Sequence, residues 1–312
     1  MTGLSLPVVV LALALLTAWG MAVLVLPLFA RLADRVPGVA RWSFAVAAVP
    51  WVVGAVVAIA GVLPGDPHLD AALGCHCATS MPGWLHLCPA HPGHAAGLVP
   101  AASVVLLLLL PGRLGAVATL VRQPRGHGGG ATPTITDLPS PTALLHGWLR
   151  PGLVVDRTLW SALSEPHRAA VLAHERAHLA RRDPLALAVL QLLLSIAPAP
   201  IRHRVVRAWL GHAEARADAI AAETLGDPGM VAEALVRCAR LAAPPPLALA
   251  WNGGHLERRV QALLRPGSHA PAIRRPDAGL TDALLLAGVT AALLSATPWL
   301  HHQLEHLLNL SL

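Results

Sequence analysis

The chain has 312 residues, 55% of them hydrophobic and only 13% charged. Soluble globular proteins carry about 25% charged residues, so the composition points to a membrane. A net charge of +6 and a pI near 10.7 invite a nucleic-acid reading. With no Tyr and two Phe, however, the chain lacks the aromatic platform on which bases stack. Four Cys in so long a chain do not make a disulfide scaffold.

The first element is Leu6–Ala30, apolar almost throughout and long enough, at about 1.5 Å per residue, to cross a hydrocarbon core of about 30 Å. It has no charged leader and exceeds the apolar stretch of about 7–15 residues in a signal peptide, so it reads as a span. Phe44–Leu63 is a second span, ended by Pro64-Gly65. Ala95–Leu110 is a third, closed by Pro111-Gly112, and Leu280–Leu300 is a fourth. Leu185–Ala197 is apolar but short of a span, and reads as a core helix or an interfacial segment.

Charge sets the direction. All 23 basic residues are Arg: three lie in 31–41, twenty in 111–279, and none in 64–97 or after the fourth span. The positive-inside rule then predicts a multi-pass cell-membrane protein with both termini outside and its large domain cytoplasmic. The expected organisation is three spans over 1–111 with an outer loop at 64–97, and a linker at 112–141, rich in Gly, Pro and Thr over 123–141. A cytoplasmic domain follows at 142–279, then a fourth span and short outer tail at 280–312. The fold class is mainly α, a polytopic membrane protein with about four transmembrane helices.

Within the cytoplasmic domain, Ser164-Glu165-Pro166 opens a run rich in Ala, Leu, Arg and Glu that Pro184 ends or kinks. Ser is a favoured N-cap, and Glu and Pro suit a first turn. His174 and His178 are four residues apart on this helix, so both imidazoles leave one face a turn apart. That spacing lets both bind one Zn²⁺. Glu175 beside them can act as general base toward a water that the metal activates, which is the H-E-x-x-H arrangement of zinc proteases. A second helical segment, Gly211–Ala221, offers Glu214 as third ligand and leaves one metal position open. Asp218, one turn on, can accept the other N–H of a ligating His. Pairing of Glu214 and Asp218 with Arg207 and Arg216 on a solvated helix face is the plain alternative.

His174-Glu-Arg-Ala-His178, the Arg181-Arg-Asp-Pro184 exit and Glu214-Ala-Arg-Ala-Asp218 together resemble the BlaR/MecR-type membrane metallopeptidases. His146-Gly-Trp-Leu-Arg-Pro-Gly152 and Val154-Val-Asp156 fit the same domain. The resemblance covers about residues 140–240 in motif and the whole chain in topology. It implies a gluzincin-like cytoplasmic protease domain with one Zn²⁺ per chain, held by His174, His178 and Glu214 with Glu175 as base. It also implies a protein substrate, a cytoplasmic transcriptional repressor, with membrane lipid as the surroundings and no direct nucleic-acid contact. The family's antibiotic sensors continue into an outer penicillin-binding domain that is not expected here. A transition-state-stabilising donor has no clear motif, with His203, His212 and His255 as candidates. Two other readings stay open: a housekeeping membrane protease similar to the HtpX and CAAX-prenyl-protease group, and a non-proteolytic metal-binding receptor.

The outer loop carries Cys75, Cys77, His86, Cys88 and His91. Thiolates and imidazoles suit Cu(I) or Zn, so an outer metal-sensing loop is one expectation. A disulfide from Cys88 to Cys75 or Cys77 in an oxidising compartment is the other.

Overall fold

The computed structural model describes residues 5–36, 38–60, 99–122, 130–241 and 256–265, with isolated positions beyond. The chain is mainly α-helical. Its elements are α1 (Ser5–Arg35), α2 (Ser43–Ala60), α3 (Val99–Arg122), β1 (Gly130–Thr136), β2 (Ala143–His146), β3 (Gly152–Asp156), α4 (Arg157–Ala162), α5 (Glu165–Ala180), α6 (Asp183–Leu193), α7 (Ala199–Leu225) and α8 (Pro228–Leu241). A further helix, α9, covers 256–264. The described residues form two compact units, one taking in positions up to 117 with 192–205, the other 118–191 with 206–278.

In the first unit, the stretches Val8–Arg35 and Val39–Ile59 are each long and apolar enough to cross a membrane. Only 33% of either apolar window is buried, and Leu24 and Leu28 are 67% and 63% exposed. A water-soluble protein hides such residues or pays in solubility, whereas lipid accommodates them. Without a hydrophobic drive between helices in lipid, small residues allow close approach. Gly54 of α2 does this: a Cβ there would stand 2.6 Å from the Ala14 carbonyl oxygen and 3.0 Å from Ala18 Cβ. Val9, Val10 and Ala12 of α1 pack with Ala102 of α3. The third expected span is thus helical, but it runs through Pro111-Gly112 to Arg122 instead of closing there.

The short segment between α6 and α7 belongs to this same unit. Leu194, Ser195, Ile196 and Ala197 are all buried, and Trp51 Nε1 donates to the Leu193 carbonyl at 2.6 Å. That bond satisfies one of the carbonyls a helix leaves unpaired at its C-terminus. The fourth expected span and the outer loop, with Cys75, Cys77, His86, Cys88 and His91, lie outside the described residues.

The second unit begins with a mixed sheet in the order β1-β3-β2, β1 parallel and β2 antiparallel to the central β3. Part of the expected linker is therefore strand. Pro133 is tolerated because β1 is an edge strand, and the pairing with β3 slips between Gly130 and Thr134. Leu153 and Val155 of β3 join Leu159 and Leu163 in a core that Val171 and Leu172 of α5 and Cys238 of α8 complete. Asp156 locks the sheet to α4. Its carboxylate accepts from Thr158 N and Leu159 N as N-cap and from Leu138 N at 2.9 Å. These amide donors hold its carboxyl below the ordinary aspartate range. On the other side, Ala170 and Ala173 of α5 pack with Ala221 and Ala222 of α7, Val231 of α8 and Leu263 of α9. Small residues from α5 and α7 thus share one core cluster.

Candidate metal centre

Helix α5 starts where the sequence places it, with Ser164 as N-cap and Pro166 in the first turn. The Ser164 side chain does not cap a backbone amide. It bonds His167 Nδ1 instead, and His167 Nε2 faces Glu233 of α8 at 3.3 Å. Pro184 neither ends nor kinks α5. The helix already stops at Ala180, Arg182 adopts the left-handed conformation with φ 54, and Pro184 falls in the first turn of α6, where its missing N–H costs nothing. The reversal returns Asp183 to α5, with its Oδ2 2.7 Å from His178 Nδ1.

His174 and His178 are nearly buried, 13% and 12% exposed in their side chains. Their Nε2 atoms lie 3.2 Å apart. Glu214 of α7 brings Oε2 to 3.3 Å from His174 Nε2 and Oε1 to 3.5 Å from His178 Nε2. The two Nδ1 atoms face carboxylates, His174 toward Asp218 Oδ1 at 2.9 Å and His178 toward Asp183. This places the N–H of each ring on Nδ1 and turns a bare Nε2 lone pair inward. With both rings neutral, the two Nε2 lone pairs and the Glu214 carboxylate form a donor set whose chemistry fits a metal ion. The spacing fits as well, since Zn–N bonds of about 2.0–2.1 Å in a tetrahedron put donor atoms about 3.4 Å apart. Among the described residues, His174, His178 and Glu214 form a group whose ligand atoms could hold a metal ion.

The sequence reading missed Arg259. This residue of α9 spans both carboxylates of α7: Nε and Nη2 reach Asp218 at 2.7 and 2.8 Å, and Nη1 reaches Glu214 Oε2 at 3.0 Å. The arginine that meets Glu214 and Asp218 thus comes from 41 residues beyond Asp218, on another helix. Of the candidate donors, His203 is exposed on α7, His212 lies on α7 nearer Glu214, and His255 is outside the described residues.

Electrostatics follow the contacts. Burial disfavours the charged form of His174, but Asp218 and Glu214 outweigh it and push its pKa up to about 9. Burial also works to raise Glu214, yet His174 and Arg259 hold it below the usual range. Asp218 is likewise low, burial being overcome by Arg259 and His174. Glu175 runs the other way: burial raises it despite the opposing pull of the two His rings. Of these carboxylates, Glu175 is thus the one tuned toward basicity rather than toward permanent charge. It lines a cavity of about 450 Å³ together with His174, Glu214 and Arg259.

Residues 131–206 match the family model "Peptidase family M48". The match takes in the sheet, α5 with His174, Glu175 and His178, α6 and the start of α7. The chain therefore carries a zinc-metallopeptidase domain of the M48 type, with a His/His/Glu cluster suited to a catalytic zinc. The matched segment ends before Glu214, so that residue's place in the cluster rests on the geometry above. No curated protein and no solved structure matches the chain.

Proposed function

We propose that this protein is a membrane-embedded zinc metalloendopeptidase that cuts a cytoplasmic protein, a repressor-type regulator, in a signalling step. The observation carrying the reading is the convergence of His174 Nε2, His178 Nε2 and the Glu214 carboxylate at tetrahedral-edge distances, with Glu175 in the same cavity. His174, His178 and Glu214 would hold one Zn²⁺, and the chemistry it would supply when bound is Lewis-acid polarisation of the scissile carbonyl and activation of water. Glu175 would serve as the general base toward the attacking water and return the proton to the leaving amine, a role its raised pKa favours. Asp218 and Asp183 fix the tautomer and aim of the two rings, and Arg259 holds Asp218 and Glu214 in place. Among the described residues β2 is an edge strand that borders the cavity at Ala143, where an extended substrate segment can pair with it.

The distribution of Arg supports four spans with this domain in the cytoplasm. A housekeeping membrane protease would use the same site, and the match to family M48 favours it equally, so substrate breadth separates the two. The test compares protein N-termini in cells carrying wild type with those carrying Glu175→Ala, which leaves the metal ligands in place. New termini in one DNA-binding regulator support the proposal, and many scattered termini support the housekeeping reading. Identical N-terminal profiles under stress would overturn both.

A further inference from the structure

His167 is a buried base that the metal centre does not use. It sits in the first turn of α5 with its side chain 7% exposed, and its two ring nitrogens face different elements. Nδ1 meets the Ser164 hydroxyl. Nε2 is buried without a well-formed hydrogen bond, and the Glu233 carboxylate of α8 stands 3.3 Å from it. A neutral imidazole carries one N–H and one lone pair. With the N–H directed at the carboxylate, the lone pair falls on Nδ1 and accepts from the Ser164 O–H. Glu233 stays ionised, because hydrogen bonds from Arg237, reinforced by His167, hold its carboxyl below the ordinary range. Ser164 itself is exposed. A Ser N-cap ordinarily bonds the second or third helical amide, but this one caps none. Its hydroxyl is committed to the imidazole, and the Glu165 and His167 N–H groups have no partner within the helix.

From this arrangement we infer that Ser164, His167 and Glu233 form a second reactive site, a serine nucleophile that takes the acyl group of small carboxylic esters without the metal. A hydroxyl bonded to a base that a third group orients is the arrangement that activates a nucleophile. Ser164 Oγ bonds to the ester carbonyl carbon as its proton passes to His167 Nδ1. The bond from that carbon to the alcohol oxygen then breaks, and the alcohol leaves with the proton. Water, giving its proton to the same nitrogen, releases the acid, and Ser164 takes that proton back. The Glu165 and His167 N–H groups, at the positive end of α5, are the donors for charge developing on the carbonyl oxygen. Esters rather than amides follow from exposure: water reaches Ser164, and an alcohol leaves an open site more readily than an amine. Ala162 and Glu233 border a groove of about 580 Å³, with room for a short acyl chain.

The test uses the full zinc-loaded chain in detergent and an alkyl fluorophosphonate, which transfers its phosphonyl group to activated serines with loss of fluoride. Mass mapping reads the labelling rate at Ser164 against that at Ser161, an exposed serine whose hydroxyl donates to the Arg157 carbonyl at 2.8 Å. Ser164 is expected to label about 100-fold faster, the scale on which a positioned base acts. His167→Ala removes the advantage, and added imidazole restores part of it, which a purely structural histidine would not show. Hydrolysis of p-nitrophenyl acetate falls in Ser164→Ala and persists when zinc is chelated. Equal labelling of Ser164 and Ser161 in wild type would overturn the assignment. So would an advantage that survives His167→Ala, or ester hydrolysis unchanged in Ser164→Ala. Melting temperatures identify a variant that has lost its fold. If His167→Ala is one, Glu233→Gln decides in its place, since Glu233 is exposed: an advantage it leaves undiminished would sink the proposal.

Discussion

Arg259 grips Asp218 with two parallel contacts, Nε to Oδ2 at 2.7 Å and Nη2 to Oδ1 at 2.8 Å. Asp218 in turn faces His174 Nδ1, so a residue that touches neither metal-facing nitrogen governs how one of them is aimed. Asp218 is buried, and once zinc has displaced the His174 proton, removing Arg259 leaves that carboxylate with only a neutral ring to offset it. Arg259→Ala is expected to lower zinc affinity about 10- to 100-fold, the usual scale for the partners of ligating His residues. Arg259→Lys restores little, because a single ammonium cannot reproduce the planar two-point grip or reach Glu214 at once. Competition against a chelator of known affinity measures both. Equal affinity in wild type and Arg259→Ala would show that α7 holds its own carboxylates in position.

The metal-free centre should respond to pH in a definite direction. His174 has a folded pKa of about 9 against an ordinary 6.5. Its pairing with Asp218 and Glu214 stabilises the metal-free protein fully below pH 6.5 and is lost as pH rises through about 9. Asp218 and Glu214 are shifted down, so their share is present above pH 3.8 and 4.5 respectively and fades as pH falls toward their folded values. Zinc binding must displace the His174 proton, so the stability gained from zinc grows between pH 6.5 and 9. Melting curves of chelated and zinc-loaded protein across that window are expected to diverge. Parallel curves would place the proton elsewhere.

Asp156 is a separate lever on the same domain. Asp156→Ala removes an N-cap, about 1–2 kcal/mol, and orphans the Leu138 amide at about 1–3 kcal/mol. The melting temperature falls while the folded fraction keeps its zinc stoichiometry, because none of the proposed ligands touches Asp156. Metal loss in step with the cap would show that the sheet positions α5 directly.

Gly54 tests the apolar helices. Gly54→Val places a side chain against the Ala14 carbonyl, and overpacking of this kind costs about 1–3 kcal/mol. Thermal stability in detergent should drop. A neutral result would mean that α1 and α2 slide apart at little cost.

The sequence was most readable where one helix holds the whole pattern. His174 and His178 announce themselves because a four-residue spacing in a helix is a spatial statement. Glu214 and Asp218 follow by the same rule on a second helix. The sheet was hidden: Gly130–Thr136 has the Gly, Pro and Thr of a linker, and only as an edge strand with an irregular register does it admit Pro133. The end of α5 was misjudged by four residues, because Pro184 attracts the eye and an arginine in the left-handed conformation gives no local signal. Arg259 was invisible for a different reason. Its partners are set by tertiary packing, and no periodicity ties residue 259 to residue 218.

The bond from Trp51 to the Leu193 carbonyl bears on how far the catalytic portion can be trimmed. The polypeptide leaves the peptidase unit at Leu192, after supplying His174 and His178, and rejoins it at Val206, before supplying Glu214. A chain shortened to begin at Ala118 keeps the proposed ligands but loses α1 and α2, and with them the cover over Leu194, Ser195, Ile196 and Ala197. Those four side chains would then meet water at the apex of the excursion that connects the two ligand-bearing helices. Trimming away the apolar helices therefore works against this enzyme, because residues 192–205, which lie between His178 and Glu214 in the chain, pack in the unit that α1 and α2 build.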